Sequence, residues 1–195
     1  MAEIVIAPAT ADRFDDAEHA LSGGGDGRSC QCQWWMIPNA QFQRTPQEEL
    51  RGMLRDEMGG AAVPPALIAY VDGEAAGWVR VGPRAAQIRI TRTREIVANT
   101  SIALDDPDVW AITCFVVRRE HRGEGLTRRL LTAAVDFARE HGARLIEAYP
   151  FDTAAAKKPT NDLYRGVLSV FEGAGFREVA RPRPDRAIVA LELSG

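Results

Sequence analysis

Two glycines and an arginine stand between an apolar run, "VWAITCFVV", and a long amphipathic pattern that begins "LTRRLL"; together they read Arg122-Gly123-Glu124-Gly125-Leu126-Thr127. A strand that turns abruptly into a helix leaves the first helical N–H groups without partners, and the helix dipole adds partial positive charge there. Such an end takes anions. Glycine at positions 123 and 125 would let a phosphate approach the backbone, Arg122 could add charge-assisted hydrogen bonds and Thr127 a hydroxyl. The segment has the makings of a diphosphate cradle, although a tight strand-to-helix turn alone would also use Gly-x-Gly. Other phosphate motifs fit less well: a dinucleotide fingerprint would place a third glycine at position 128, where Arg128 stands, and a Walker loop would read Gly-Lys-Ser/Thr.

A second run with chemical content is "CQCQWWM", from Cys30 to Met36. Zinc would need two further ligands, and His19, His121 and His141 are scattered without metal-site spacing, so no metal is expected. In an extended segment, alternation would send Cys30, Cys32 and Trp34 one way and Gln31, Gln33 and Trp35 the other. One tryptophan could then anchor the core while the other lines a pocket. Cys114, inside the apolar run, reads as a buried small hydrophobe before it reads as a nucleophile. Glu147, in "LIEAY", is costly to bury unpaired and should face a polar cleft or a cationic partner. Arg89, Arg92 and Arg94 could touch ligand phosphates or form a solvated face.

The elements that must position these residues follow from periodicity and punctuation. "EIVIA" is a short strand, "TADRFDDAEHALS" a helix, and "SGGGDGRS" a flexible connector. In "TPQEELRGMLRDEMGG" Thr45 is the expected N-cap, Pro46 the first turn and Glu48 the partner in a capping box, with Gly59-Gly60 as the stop. "ALIAYV" and "AAGWVRVG" flank Asp72-Gly73, a hairpin turn. The stretch 83–108 is ambiguous between a strand and a basic loop. "VWAITCFVV" suits a strand covered on both faces. Leu126, Leu130, Leu131, Ala134, Phe137 and Ala138 share one helical face that ends at Gly142. "RLIEAYP" is a strand, "NDLYRGVLSVFEGAG" a helix, and "FREVA" with "AIVALEL" a final strand pair. This mixture around one sheet predicts a single α/β domain over residues 1–195.

A formal net charge of -3 argues against general nucleic-acid binding. No apolar stretch is long enough to span a membrane, and "MAEIVIAP" lacks the features of a secretory signal, so a cytoplasmic protein is expected. Three cysteines, an odd count, argue against a disulfide framework.

"FVVRREHRGEGLTRRLLTAAVDFAREHGA" resembles motif A of the GNAT superfamily of acyl-CoA-dependent N-acetyltransferases, whose signature is Arg/Gln-x-x-Gly-x-Gly/Ala; Thr127 replaces the usual final small residue. "FEGAGFREVA" is similar to the family's later motif. The resemblance implies a mixed α/β fold with a mostly antiparallel twisted sheet, one splayed parallel strand pair and helices on both faces. It also implies acetyl transfer from acetyl-CoA to a primary amine of a small molecule or peptide, directly within a ternary complex. Backbone groups of Phe115, Val116 and Val117 would pair with the pantetheine arm, and the amides from Arg122 through Gly123, Glu124, Gly125 and Leu126 to Thr127 would hold the diphosphate. Relatives often take the leaving-group proton from a tyrosine at the position that is Phe171 here. Tyr164, expected on the same helix face two turns earlier, is the substitute candidate, with water as the other. Glu147 is the candidate base, or a salt-bridge partner. Cys32, Trp34 and Trp35 would line the acceptor pocket, the "KKP" connector could cover it, and a homodimer is common among relatives. A non-catalytic acyl-CoA-binding module and an unrelated phosphate-binding domain stay open.

Overall fold

A computed structural model describes residues 2–193. Along the chain come β1 (Ile4–Pro8), α1 (Phe14–Leu21), α2 (Gly27–Cys30), α3 (Asn39–Phe42), α4 (Gln47–Gly60), β2 (Ala66–Val71), β3 (Glu74–Pro83), α5 (Ile88–Arg92), α6 (Arg94–Val97), β4 (Val109–Val117), α7 (Leu126–Glu140), β5 (Leu145–Ala148), α8 (Leu168–Glu172), β6 (Arg177–Arg183) and β7 (Arg186–Glu192), with short 3-10 turns between some of them. The strands form one sheet in the order β1-β2-β3-β4-β5-β7-β6, antiparallel throughout except for β4 and β5. No helix among the described residues is long and apolar enough to cross a membrane.

Each face of the sheet carries its own core. On one side α7 lays Leu126, Leu130, Leu131, Ala134, Phe137 and Ala138 against Val79, Ile112 and Phe115, as the helical spacing predicts. On the other, α1 and α4 bring Phe14, Leu21, Leu54 and Met58 to Ile68, Trp78 and Cys114. This explains the unbroken apolar run of β4, which is buried on both faces.

The parallel ladder is short. It runs from Val109↔Leu145 to Ile112↔Ala148, while β4 continues to Val117. Just beyond the last pair, β4 also bulges against β3: the register passes from Val81↔Ile112 to Arg80↔Cys114, leaving Thr113 unmatched. The bulge is held by its own hydrogen bonds. Trp35 Nε1 donates to the Thr113 carbonyl at 3.0 Å, and the Thr113 hydroxyl donates to Gln87 at 2.6 Å.

Several local expectations are corrected. Helix α4 starts at Gln47 without a side-chain cap, because the Thr45 hydroxyl donates instead to the Gln41 carbonyl, and the helix runs through Gly59 and Gly60. Residues 88–97 form the short helices α5 and α6 rather than a strand or loop. The single helix expected from Asn161 to Gly175 is broken at Gly166, whose φ of 83° no helix accommodates, so Tyr164 lies in a separate 3-10 turn (Thr160–Arg165). "CQCQWWM" is not extended: Gln31 and Cys32 are both left-handed, at φ 47° and 54°. Each non-glycine residue held that way costs about 1–2 kcal/mol.

At Gly77 on β3, helix α7 approaches closely: an added Cβ would lie 3.1 Å from Leu130 and 3.3 Å from Leu126. Gly77→Val should therefore overpack this contact and destabilise the protein by about 1–3 kcal/mol, read as a lower urea midpoint with an unchanged slope.

Candidate active site

A cleft of about 620 Å³ runs along the C-terminal half of β4, from Cys114 to Val117. At one end lies the glycine turn. Gly125 is the residue before α7 and adopts φ 78°, with Gly123 at φ 85°, so both need glycine for the backbone itself. A Cβ at either would meet no protein atom within 4 Å, because both face the open cleft. The backbone ladder of α7 begins with Arg128 N–H donating to Gly125, which leaves the amides of Gly123 to Thr127 for another acceptor, while the Arg122 amide donates to the Arg119 carbonyl at 3.3 Å. Arg122, Leu126 and Thr127 join the glycines in lining this end; Glu124 does not, and its exposed carboxylate sits 3.9 Å from His121.

The opposite wall is the segment read above as a flexible connector. Gly24, Gly25, Asp26 and Gly27 line the cleft, and the close fit to the loop after β4 shows why glycines recur: a Cβ on Gly23 would lie 2.0 Å from Arg118, and one on Gly24 2.5 Å from the Arg122 guanidinium. The Gly23 carbonyl accepts from the Arg119 amide at 3.1 Å.

Cys114, Phe115, Val116 and Val117 form the middle of the cleft, where β4 has parted from β5. The 3-10 turn carrying Asn161, Leu163 and Tyr164 faces them. Arg165 Nε donates to the Tyr164 hydroxyl oxygen at 3.2 Å, so the phenol's own proton is free for another acceptor.

The far end is aromatic. Trp34, Trp35 and Phe42 line it beside Cys30 and Cys32. Trp34 meets Phe42 edge-on at 5.1 Å, while Trp35 stacks on Tyr149 at 6.1 Å. The Arg89 guanidinium lies 3.6 Å from the Trp34 ring and donates to the carbonyls of Trp34 and Ile37; burial holds its pKa below the usual arginine value. Both tryptophans thus reach the cleft, with Trp35 also anchoring the β4 bulge, rather than dividing the two tasks between them.

Beneath this end runs a buried polar network. Arg80 forks onto Glu57 at 2.7 and 2.9 Å, Gln33 donates to the same carboxylate at 3.1 Å, and Arg80 Nε donates to Cys32 Sγ at 3.2 Å. Trp78 Nε1 donates to that sulfur as well, also at 3.2 Å. Burial alone would raise the Cys32 pKa, but the neighbouring Cys114 thiol and the Arg80 charge outweigh it and hold the thiol at about 6. Cys30 moves the other way, pushed up to about 12 by burial and by Cys32. Burial is also the first influence on Glu57, yet Arg80 keeps that carboxyl below its ordinary value.

Glu147 is elsewhere. It is 2% exposed, does not line the cleft, and its oxygens are taken by Arg84 at 2.9 Å and by the Tyr149 hydroxyl at 2.9 Å. The geometry corrects the base assignment: a carboxylate buried inside the sheet, away from the cleft and with both oxygens hydrogen-bonded, has no path to a substrate proton, and the salt-bridge alternative describes it. Arg80 is a further member of the site, and a charged residue in the middle of "AAGWVRVG" is the sequence signal of a buried partner. Phe42 and Asn161 gave no such signal.

The profile of the Acetyltransferase (GNAT) family matches residues 30–167, more than half of the chain. No curated protein matches the sequence. Among solved structures, a ribosomal-protein-alanine N-acetyltransferase from Brucella melitensis is similar at 17% identity, with a TM-score of 0.58 over 97% of this chain and 99% of that one. A GNAT-family acetyltransferase from Streptococcus pneumoniae shares 12% identity and a TM-score of 0.54 over 98% and 100%. The PaiA N-acetyltransferase of Thermoplasma acidophilum, solved with coenzyme A, shares 12% at a TM-score of 0.52 over 98% and 99%. With a parted parallel strand pair, a glycine turn at a helix start and this family match, the chain belongs to the GNAT acetyltransferase family.

Removing one partner of a buried ion pair leaves the other uncompensated. Glu147→Ala should destabilise the protein by about 3–5 kcal/mol in urea unfolding; a loss well under 1 kcal/mol would show that the pair is dispensable.

Proposed function

We propose that the protein is an N-acetyltransferase that moves an acetyl group from acetyl-CoA to a primary amine of a small molecule or peptide, by direct transfer with both substrates bound. The observation that carries this reading is the continuity of one cleft from the glycine turn, along the unpaired edge of β4, to the aromatic end. Acyl-CoA is a linear molecule with an anion at one part and a thioester at its tip, and the residues present suit both. Amides of Gly123 to Thr127 take the diphosphate, with the Arg122 side chain beside it. Backbone groups of Phe115, Val116 and Val117 supply the ladder that β5 no longer supplies, and the pantetheine amides complete it.

The thioester then lies toward Cys114 and Tyr164. Tyr164 protonates the departing thiolate, and Arg165 acts through it as a positioning residue, because its Nε–H occupies the phenol oxygen and turns the phenol proton into the cleft. Cys32, Trp34 and Trp35, with Phe42, form the acceptor pocket. Glu147 takes no part in proton transfer; the amine arrives neutral or loses its proton through water. The reaction needs no metal, and the same reading places the enzyme in the cytoplasm, with a homodimer as its assembly.

One observation favours a second reading, a non-catalytic acyl-CoA-binding module. At the position of the family's usual acid stands Phe171, fully buried between Phe115 and Phe176 and without a hydroxyl. Release of coenzyme A thiol separates the two. Purified protein with acetyl-CoA and a varied panel of primary amines should release it with at least one amine; binding of acetyl-CoA with no release from any of them favours the module.

Two variants test the assignments. Tyr164→Phe should lower kcat at least about 10²-fold while leaving the acetyl-CoA dissociation constant unchanged, and unaltered turnover would remove Tyr164 as the acid. Gly125→Val should weaken coenzyme A at least about tenfold in calorimetric titration, a change of roughly 1.4 kcal/mol, because valine rejects the left-handed backbone and projects into the diphosphate site.

A further inference from the structure

The function proposed above leaves unused the most unusual chemistry of the cleft, a set of three cysteines, Cys30, Cys32 and Cys114, that all line it. They differ sharply in their surroundings. Both hydrogen bonds that reach Cys32 Sγ come from obligate donors, the Trp78 indole N–H and the Arg80 Nε–H, and Cys114 stands opposite Arg80 in the β3–β4 register, in the same buried cluster as Cys32. A neutral Cys32 would have to turn its own proton away from both of these donors. The arrangement therefore favours the thiolate, and Arg80 supplies its counter-charge while its two terminal nitrogens serve Glu57. The charged and titratable groups facing the sulfur are thus Arg80 from β3, Cys114 from β4 and Cys30 from α2, with Glu57 of α4 behind the arginine. Cys32 is also fixed in place: it is 1% exposed and follows Gln31 in a pair of left-handed residues.

We propose that Cys32 is a peroxide-reactive site with Cys114 as its resolving thiol, and that the resulting disulfide ties the acceptor loop to β4 at the transfer end of the cleft. In the first step the Cys32 sulfur attacks one oxygen of hydrogen peroxide. The O–O bond breaks, hydroxide leaves and takes a proton to become water, and Cys32 becomes a sulfenic acid. In the second, the Cys114 sulfur loses its proton and attacks the Cys32 sulfur. The S–O bond breaks, the hydroxyl leaves with that proton as a second water, and the disulfide remains; peroxide has been reduced by two electrons, one from each cysteine. Cys114 is suited to act second. Its thiol is held protonated chiefly by the neighbouring Cys32 sulfur and then by burial, and oxidation of that sulfur removes the anion that held the proton. Cys30, with its pKa pushed up to about 12, stays a neutral and slow thiol beside them.

The modification needs no acetyl transfer, although its consequence, a blocked acceptor end, rests on the proposed function. The test therefore reads chemistry and not turnover. Intact protein is treated with hydrogen peroxide between about pH 5 and about pH 9, and its cysteine peptides are mapped by mass spectrometry. The expected product is a Cys32–Cys114 disulfide reversed by dithiothreitol. Its rate should fall as pH drops through about 6, where Cys32 is protonated, and be level above about pH 7. Cys114→Ser should stop at the sulfenic acid, trapped on Cys32 by dimedone. A rate that still climbs near pH 8.5, as for an ordinary thiol, or oxidation that begins at Cys30, overturns the proposal. So does a folded Cys114→Ser protein that gives no dimedone adduct.

Discussion

The structure turns on the point where β4 and β5 part. A strand inside a protein must find partners for its backbone N–H and C=O groups, and β4 loses its parallel neighbour after Ile112 while it is still fully buried. Everything at the site follows from that loss. Thr113 bulges at the same place and re-aims the strand, Trp35 fixes the bulge through its carbonyl, and the freed edge becomes one wall of the cleft. The glycine turn at the end of the same strand then sets the start of α7 at the mouth of that cleft, so a single continuous piece of chain makes both the edge and the anion-binding end.

Two buried polar networks brace this opening from β3 and the turn that follows it. Arg80 joins Glu57 of α4 to Cys32 of the acceptor loop, and Arg84 joins Glu147 of β5 to the loop near Ala103. Buried ion pairs of this kind add little net stability, since desolvation offsets their attraction; they penalise arrangements that leave a charge unpaired. Here that penalty opposes collapse of the cleft, because moving either the acceptor loop or β5 would strand a guanidinium.

The sequence shows best those features that obey a fixed spacing. The apolar face of α7, the Asp72-Gly73 hairpin and the two-sided burial of β4 follow directly from periodicity and turn chemistry, and the glycine turn was legible through the family resemblance. What it hides are features set by distant contacts. Gly23 to Gly27 look like a linker because nothing local reveals that the Arg118–Arg122 loop packs on Gly23 and Gly24, or that Gly25 and Gly27 meet Asn161 and Val116. Tyr164 seemed to share a helix face with Phe171 because periodicity does not register one glycine in a left-handed turn. Glu147 looked available because its partner Arg84 lies 63 residues away in the chain. Cys32 looked like one of an alternating pair, and only the fold brings Arg80 and Trp78 to its sulfur.

The central claim is that coenzyme A completes the unpaired edge of β4 and the free amides at the start of α7. Amide hydrogen exchange with and without saturating coenzyme A tests it most directly. The account predicts slowed exchange concentrated at residues 115–117 and 123–127, and no comparable change in β6 at the far edge of the sheet. Protection that appears elsewhere while those two segments exchange as before would contradict it.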